Sequence, residues 1–185
     1  MDQSIQARMR RLAVLLVVCS VALLGSPVAW SQSQQKTKVS FEVPGKNSKY
    51  TQQHTLDVGD MPGHAVRLFE ISRTFPEDPP VFAGVPVKDY LTQGRSDTVG
   101  GNGPVVAYYI FSMANGDKVF GKYEGIAQAP ASQSPNKRTV VGNLVLTGGT
   151  GKLRQIRGTF RVLTDVDVST GLNDTKYEGE YWMEK

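Results

Sequence analysis

"LVLTGGTGKLRQIRGTFRV", Leu144 to Val162, packs four glycines, one lysine and three arginines into nineteen residues. A glycine loop followed by lysine is the form of a phosphate cradle, so the stretch poses a choice between a nucleotide site and a turn. A phosphate loop needs glycine, four residues, then Gly-Lys-Ser/Thr. With Gly151-Lys152 as the core, positions 146 and 153 are both leucine. The dinucleotide pattern begun by Gly149-Thr150-Gly151 needs a glycine at 154 and meets Arg154. Both motifs also require a following helix whose amide N–H groups face the phosphate. Here β-branched and aromatic residues follow instead. A calcium β-roll repeat fails at Leu153, where aspartate belongs, and the pattern does not recur. The stretch therefore reads as two strands joined by a glycine turn.

The rest of the chain keeps the same rhythm. "KTKVSFEV" (36–43) alternates polar and apolar residues and stops at Pro44-Gly45. Residues 51–63 read as a weak strand running into a turn, 64–75 as a strand, and 76–80 as a proline loop. Residues 85–94 fit a strand or a short helix, and "RSDTVGGNGP" (95–104) reads as a glycine-rich loop. "VVAYYIFSM" (105–113) and "KVFGKYEGI" (118–126) flank Ala114-Asn115-Gly116-Asp117. Asn-Gly between two such runs is a strong hairpin signal, because both residues tolerate positive φ. Strands follow at 137–147, 152–166 and 175–185. In the last, Tyr177, Gly179, Tyr181 and Met183 share one face, opposite Lys176, Glu178, Glu180, Trp182 and Glu184. After the leader no twelve-residue window carries a helical stripe. About eight short strands with Gly/Pro/Asn turns predict an all-β protein, an antiparallel eight-stranded barrel, since closure removes exposed edges.

The first thirty residues follow a different logic. Arg8, Arg10 and Arg11 precede an apolar run from Leu12 to Leu24, too short for an ordinary membrane span. Small residues at Ala29 and Ser31 fit a cleavage site, which predicts a signal peptide over 1–31 and one barrel domain over 32–185. The expected location is secreted or periplasmic, with no membrane span after cleavage. Cys19 lies within the apolar run and is the only cysteine. Residues 32–185 thus hold no disulfide, thiolate metal site or cysteine nucleophile. Among the 185 residues there are 21 Lys+Arg and 17 Asp+Glu. The leader takes three arginines and Asp2, leaving 18 against 16. A balance so near neutral gives no footprint for nucleic acid.

Catalytic motifs fail in turn. No Gly-x-Ser-x-Gly elbow occurs. Ser33-x-x-Lys36 and Ser134-x-x-Lys137 match Ser-x-x-Lys but stand in a polar lead-in and a proline-bearing loop. Asp165, Asp167 and Ser169 imitate a calcium loop, but Thr170 replaces its glycine and Lys176 its final glutamate. His54 and His64, with Asp57 and Asp60 between them, are the candidates for a metal; their spacing matches no defined metal motif. Neither a metal nor a cofactor is expected. The paired carboxylates Glu178/Glu180 share the wet face of their strand. Aromatic side chains are the candidates to line a barrel interior: Tyr177 and Tyr181, with Tyr108, Tyr109, Phe111, Phe120 and Tyr123 as further choices. Residues 105–113 are apolar on both faces except Ser112, which points to a covering loop or a partner subunit.

The segment "VVGNLVLTGGTGKLRQIRGTF" (140–160) resembles the strand–Gly-Gly-Thr-Gly-Lys–strand hairpin of the allene oxide cyclase-like barrel superfamily. That superfamily includes plant dirigent proteins and exported bacterial proteins. The likeness rests on Gly142, Leu144, Leu146, Thr147, Gly148, Gly149, Thr150, Gly151, Lys152, Ile156 and Gly158. It implies an eight-stranded antiparallel barrel, often trimeric, with an apolar cavity. The characterised plant members bind small, largely apolar intermediates and steer their cyclisation or coupling by shape. No catalytic residue of the family can be matched to a position here. The leading expectation is therefore a barrel that binds a small apolar molecule without catalysis. Tyr108, Phe111, Tyr123, Tyr177, Tyr181, Arg67 and Glu70 are the expected cavity residues. A cyclase or isomerase using Arg67, Glu70, His64 or Tyr123 is the alternative, and a partner-binding envelope protein with a filled barrel the third reading.

Overall fold

A computed structural model describes residues 34–130 and 136–185. The expected signal peptide, Ser33 and Ser134 lie outside them. Gln34–Lys185 form one compact unit. Ten strands build it: β1 (Thr37–Val43), β2 (Ser48–Asp57), β3 (His64–Thr74), β4 (Val81–Phe82), β5 (Val85–Val99), β6 (Gly103–Met113), β7 (Lys118–Gln128), β8 (Lys137–Gly149), β9 (Ile156–Asp167) and β10 (Leu172–Met183). Among the described residues no helix is long and apolar enough to cross a membrane.

The sheet is antiparallel throughout, in the order β1-β10-β9-β8-β7-β6-β5-β3-β2, with β4 paired to β5. It curls into a barrel. The two ends of the path, β1 and β2, are neighbours in sequence and share no ladder; a 3-10 turn at Gly45–Asn47 joins them. That seam is held to β10 instead. The Gly45 amide donates to Asp174 Oδ1 at 2.7 Å, and the Ser48 hydroxyl to the Asn173 carbonyl at 3.4 Å.

Ten strands rather than eight arise partly from β4, a two-residue strand in the sequence "VFAGV". The turn at Ala83-Gly84 has positive φ at both residues, +48° and +81°. That is the mirror-image turn that matches strand twist, here built with an alanine that carries some strain. The reading of 95–104 as a loop also needs correction. Arg95 to Val99 extend β5, because these residues pair with β3, His64 to Leu68, and Arg95 and Ser96 also with β6. Only Gly100 to Asn102 turn. At the Asn115-Gly116 hairpin, Gly116 takes positive φ and Asn115 does not.

Strand alternation decides what faces inward. Odd positions of β1, β3, β6, β7 and β10 point in, as do even positions of β8, β9 and of β5 beyond its register shift at Val87/Asp89, with Val87 inward before it, and these supply the core. One end of the barrel is solid. Phe82 sits there with its ring edge-on to Phe111, Phe160 and Tyr181, at centroid distances of 5.7, 6.1 and 5.5 Å. Val87, Met113, Val119, Leu146, Leu153 and Ile156 complete the plug.

The glycine turn that opened the reading closes this same end. β8 runs to Gly149, a 3-10 turn covers Gly151–Leu153, and β9 begins at Ile156. Leu153 points back inward and is fully buried. A Cβ on Gly149 would lie 2.4 Å from the Lys118 carbonyl and 2.7 Å from that of Leu153, so only glycine fits. Thr150 ties this turn to the Asn-Gly hairpin: its amide donates to the Lys118 carbonyl, and its hydroxyl accepts from the Lys118 amide, both at 2.8 Å. The loop does meet an anion, but its own: the Asp117 carboxylate lies against the Lys152 amide and the Thr150 hydroxyl, each 3.4 Å away. Lys152, Arg154 and Arg161 are exposed, and Arg157 pairs with Glu184 at 2.8 Å.

Candidate functional site

The opposite half of the barrel is open. A cavity of about 430 Å³ lies between inward side chains of every strand from β2 to β10 except β4. Its walls are mostly small or apolar: Ala65, Phe69, Ile71, Val105, Ala107, Ala127, Val140 and Val166. That volume falls in the range of small-molecule pockets. The short side chains are what keep it open. Ala107 and Ala127 stand where bulkier residues fill the solid end, and the chain thins further at three glycines. Gly94 makes room for the Phe69 ring, whose Cζ would lie 2.7 Å from any Cβ there. Gly125 and Gly142 do the same for Tyr123, whose ring and hydroxyl lie across them at 2.2–2.7 Å from such a Cβ.

Two polar groups in this cavity are unusual. Arg73, inward on β3, is 3% exposed. Its Nη1 donates to Thr92 Oγ1 at 2.8 Å, and its Cζ stands 5.4 Å from the centroid of the Tyr90 ring. Its Nε has no hydrogen-bond partner among the described residues. Burial works against the charged form. The oxygens of Tyr90, Tyr177, Tyr109 and Tyr50 around it act the other way, and the net direction is upward. The guanidinium is therefore charged. The second group is Tyr123 Oη, also buried and without a partner among the described residues. Burial raises the Tyr123 phenol well above its ordinary value, so it stays protonated and offers a donor.

Beneath the cavity, aromatic rings form a continuous floor. Tyr90 and Tyr177 share a hydrogen bond between hydroxyls at 2.7 Å, and burial raises both phenols. Tyr177 stacks on Phe41 at 4.4 Å, and Tyr90 stacks on Tyr109 at 5.8 Å. These contacts join the open half to the solid one.

The expected cavity residues divide by strand face. Tyr123 and Arg67 line the cavity. Arg67 donates to Gln53 Oε1 and lies 4.8 Å over the Tyr50 ring. Tyr177, Phe111 and Tyr181 point inward but belong to the floor and plug; the Tyr181 hydroxyl accepts from the Ala83 amide at 2.9 Å. Tyr108 does not enter the interior: it is 60% exposed on the outer face of β6, one residue out of phase with Ala107 and Tyr109. Glu70 is likewise outside, in a surface groove with His54, Leu68 and Tyr108. There Thr51 and Gln93 donate to its carboxylate, which holds it below the usual carboxylate range.

The two histidines do not converge. His54 sits opposite Leu68 and His64 opposite Val99. His64 is engaged by Asp97 at 2.9 Å through Nε2 and by Asp60 at 2.5 Å through Nδ1. These carboxylates raise the imidazole above its ordinary 6.5, and His64 in turn lowers Asp60. Asp167 caps its own turn by accepting from the Ser169 amide at 3.0 Å and from the Ser169 hydroxyl, which lowers it. Among the described residues no group of three or more His, Cys, Asp or Glu is placed to hold a metal ion.

No family model matches the chain, and no curated protein matches it. Solved structures do. The pterocarpan synthase dirigent protein GePTS1 is similar at 18% identity over 86% of this chain and 96% of its own, with a TM-score of 0.44. The pterocarpan synthase dirigent protein PsPTS1 is similar at 15% identity over 82% and 97%, with a TM-score of 0.45. A pyocyanin demethylase is similar at 15% identity over 76% and 99%, with a TM-score of 0.38.

Sequence reading missed Arg73, Thr92 and Tyr90. The signal was present: Ala65, Arg67, Phe69, Ile71 and Arg73 alternate along β3 and so share one face. Placing Arg67 inside places Arg73 inside, and it places Glu70, three residues away, outside.

Proposed function

We propose that this chain is an exported barrel that holds one small, mostly apolar molecule in its open half and does not transform it. The observation that carries the reading is the cavity lining: apolar walls, a few hydroxyls, arginine and tyrosine, with no His, Asp or Glu among the described lining residues. General acid–base catalysis near neutral pH relies mostly on such groups within reach of the substrate. Of the four residues an isomerase would have drawn on, Glu70 and His64 are held by other partners outside the cavity, and only Arg67 and Tyr123 line it. The cavity also counts against a barrel that is filled from end to end. Export rests on the pattern of residues 1–31.

Native mass spectrometry of the purified protein tests the reading. The expected spectrum carries a small-molecule adduct, or gains one with added 2-naphthamide. Ala107→Phe, which puts a ring into the cavity, is expected to lose it. A protein that neither carries nor gains an adduct, or an adduct that survives Ala107→Phe unchanged, refutes it. We also assign the outer face around Leu68 and Tyr108, 55% and 60% exposed, to self-association, as a trimer. Sedimentation should show that species, and a clean monomer at micromolar concentration refutes it.

A further inference from the structure

We propose that the molecule held in the cavity is an anion, a carboxylate carried on a small apolar body, and that Arg73 is the group that holds it. The inference rests on the binding reading above and adds the chemistry of the ligand.

A guanidinium offers five N–H donors in a planar fork. Arg73 spends one on Thr92 and leaves Nε without a partner among the described residues, although the side chain is 3% exposed. A buried charge is ordinarily paired, because an unpaired one keeps the full cost of leaving water. The described ion pairs join Lys36, His64, Arg157 and Lys176 to their carboxylates, and Arg73 takes part in none of them. The side chains beside it are tyrosines, which bury protonated here. Among the described residues the charge has no counter-charge, and it lines the cavity.

The remaining charges of the cavity point the same way. Arg67 and Arg138 also line it, on β3 and β8, so three arginines and no acid face the space among the described residues. Arg138 lies close over the Gly101 backbone, where a Cβ would meet its side chain. A cleft with one sign of charge and low-dielectric walls gathers ions of the other sign. An Arg fork takes a carboxylate in bidentate fashion. Besides Thr92, the lining groups around Arg73 include Tyr50 and Tyr109, and the walls beyond are largely apolar, which favours a ligand whose remaining surface is apolar. One guanidinium and one hydroxyl suit a single negative charge better than a phosphate dianion.

Calorimetry with 2-naphthoate, its neutral isostere 2-naphthamide and 2-naphthyl phosphate decides the matter on the full-length mature protein. The expected result is that naphthoate binds at least tenfold more tightly than naphthamide. Arg73→Met should remove that preference and leave naphthamide within threefold of its original affinity. Thr92→Val, which frees the guanidinium but keeps its charge, should weaken naphthoate severalfold and leave naphthamide unchanged; this variant and the wild-type pair decide the matter if Arg73→Met does not fold. Equal affinity for naphthoate and naphthamide overturns the anion while the cavity reading stands. A preference that survives Arg73→Met overturns the role of Arg73. Tighter binding of naphthyl phosphate overturns the carboxylate. Binding of none of the three overturns both readings together.

Discussion

Tyr123→Phe should stabilise the ligand-free protein, an unusual outcome for a change inside a core. The hydroxyl is buried and has no partner among the described residues, so it keeps its desolvation cost with nothing in return. A buried unsatisfied hydroxyl costs about 1–3 kcal/mol. Loss of the oxygen leaves a small void, which takes back part of that gain. A net stabilisation of about 1 kcal/mol remains, worth roughly 2–4 °C in Tm for a domain of this size. Tyr177→Phe is the internal contrast. Its hydroxyl shares a 2.7 Å hydrogen bond with Tyr90 in the floor, so removal strands the partner and should destabilise by about 1–3 kcal/mol. Urea unfolding followed by circular dichroism measures both, with an unchanged m-value as the check that only stability has moved. Destabilisation by Tyr123→Phe as large as that by Tyr177→Phe would show that Tyr123 has a partner in the folded chain and refute the reasoning.

Three further outcomes are expected. Gly142→Ala places a Cβ 2.3 Å from the Glu124 carbonyl and 2.7 Å from the Tyr123 ring, and should destabilise by about 1–3 kcal/mol or more, read by thermal unfolding; a neutral result would show that the Tyr123 ring does not lie there. Ala83→Gly relieves an alanine at φ +48° and should raise stability by a few tenths to 1 kcal/mol despite the added chain entropy, measured by urea midpoint; a loss of stability would contradict the turn. The His64 cluster should give stability a pH dependence. The raised imidazole contributes fully below about 6.5 and is lost as pH rises through its higher folded value, whereas the lowered Asp60 contributes above about 3.8 and is lost as pH falls through its own. His64→Gln should flatten the alkaline loss in a pH series of urea midpoints, and an unchanged profile would refute the pairing.

Much of this architecture is legible in the amino acids because a β-strand has a period of two. Asn115-Gly116 and Gly148 to Gly151 mark two turns, and the alternation of Tyr177, Gly179 and Tyr181 fixes which face of β10 is inward. Where the pattern is ambiguous, reading fails for a definable reason. Residues 105–113 are apolar on both faces, so composition cannot choose between Tyr108 and Tyr109; register against β5 and β7 does, through Ala107, Tyr109 and Phe111. Residues 95–99 carry two charges and two hydroxyls, which suggest a loop, yet pairing with β3 extends the strand through them. β4 has only two residues and an alanine where asparagine or glycine would signal a tight turn. Arg73 escaped notice because an arginine in an amphipathic strand looks like surface charge, although its phase with Arg67 puts it on the inward face.

The plug at one end of the barrel has a kinetic consequence. Phe82, Leu153 and Phe111 close that end, so on the proposed reading a ligand reaches the other half by way of the open end, where Gly63, Gly100, Gly101 and Arg138 are among the described lining residues. Residence time and affinity then become separable properties. If that reading holds, a bulkier residue at the glycines of the rim slows arrival and departure alike and leaves the equilibrium constant untouched, whereas a change at Arg73, Arg138 or Tyr123 shifts the equilibrium itself.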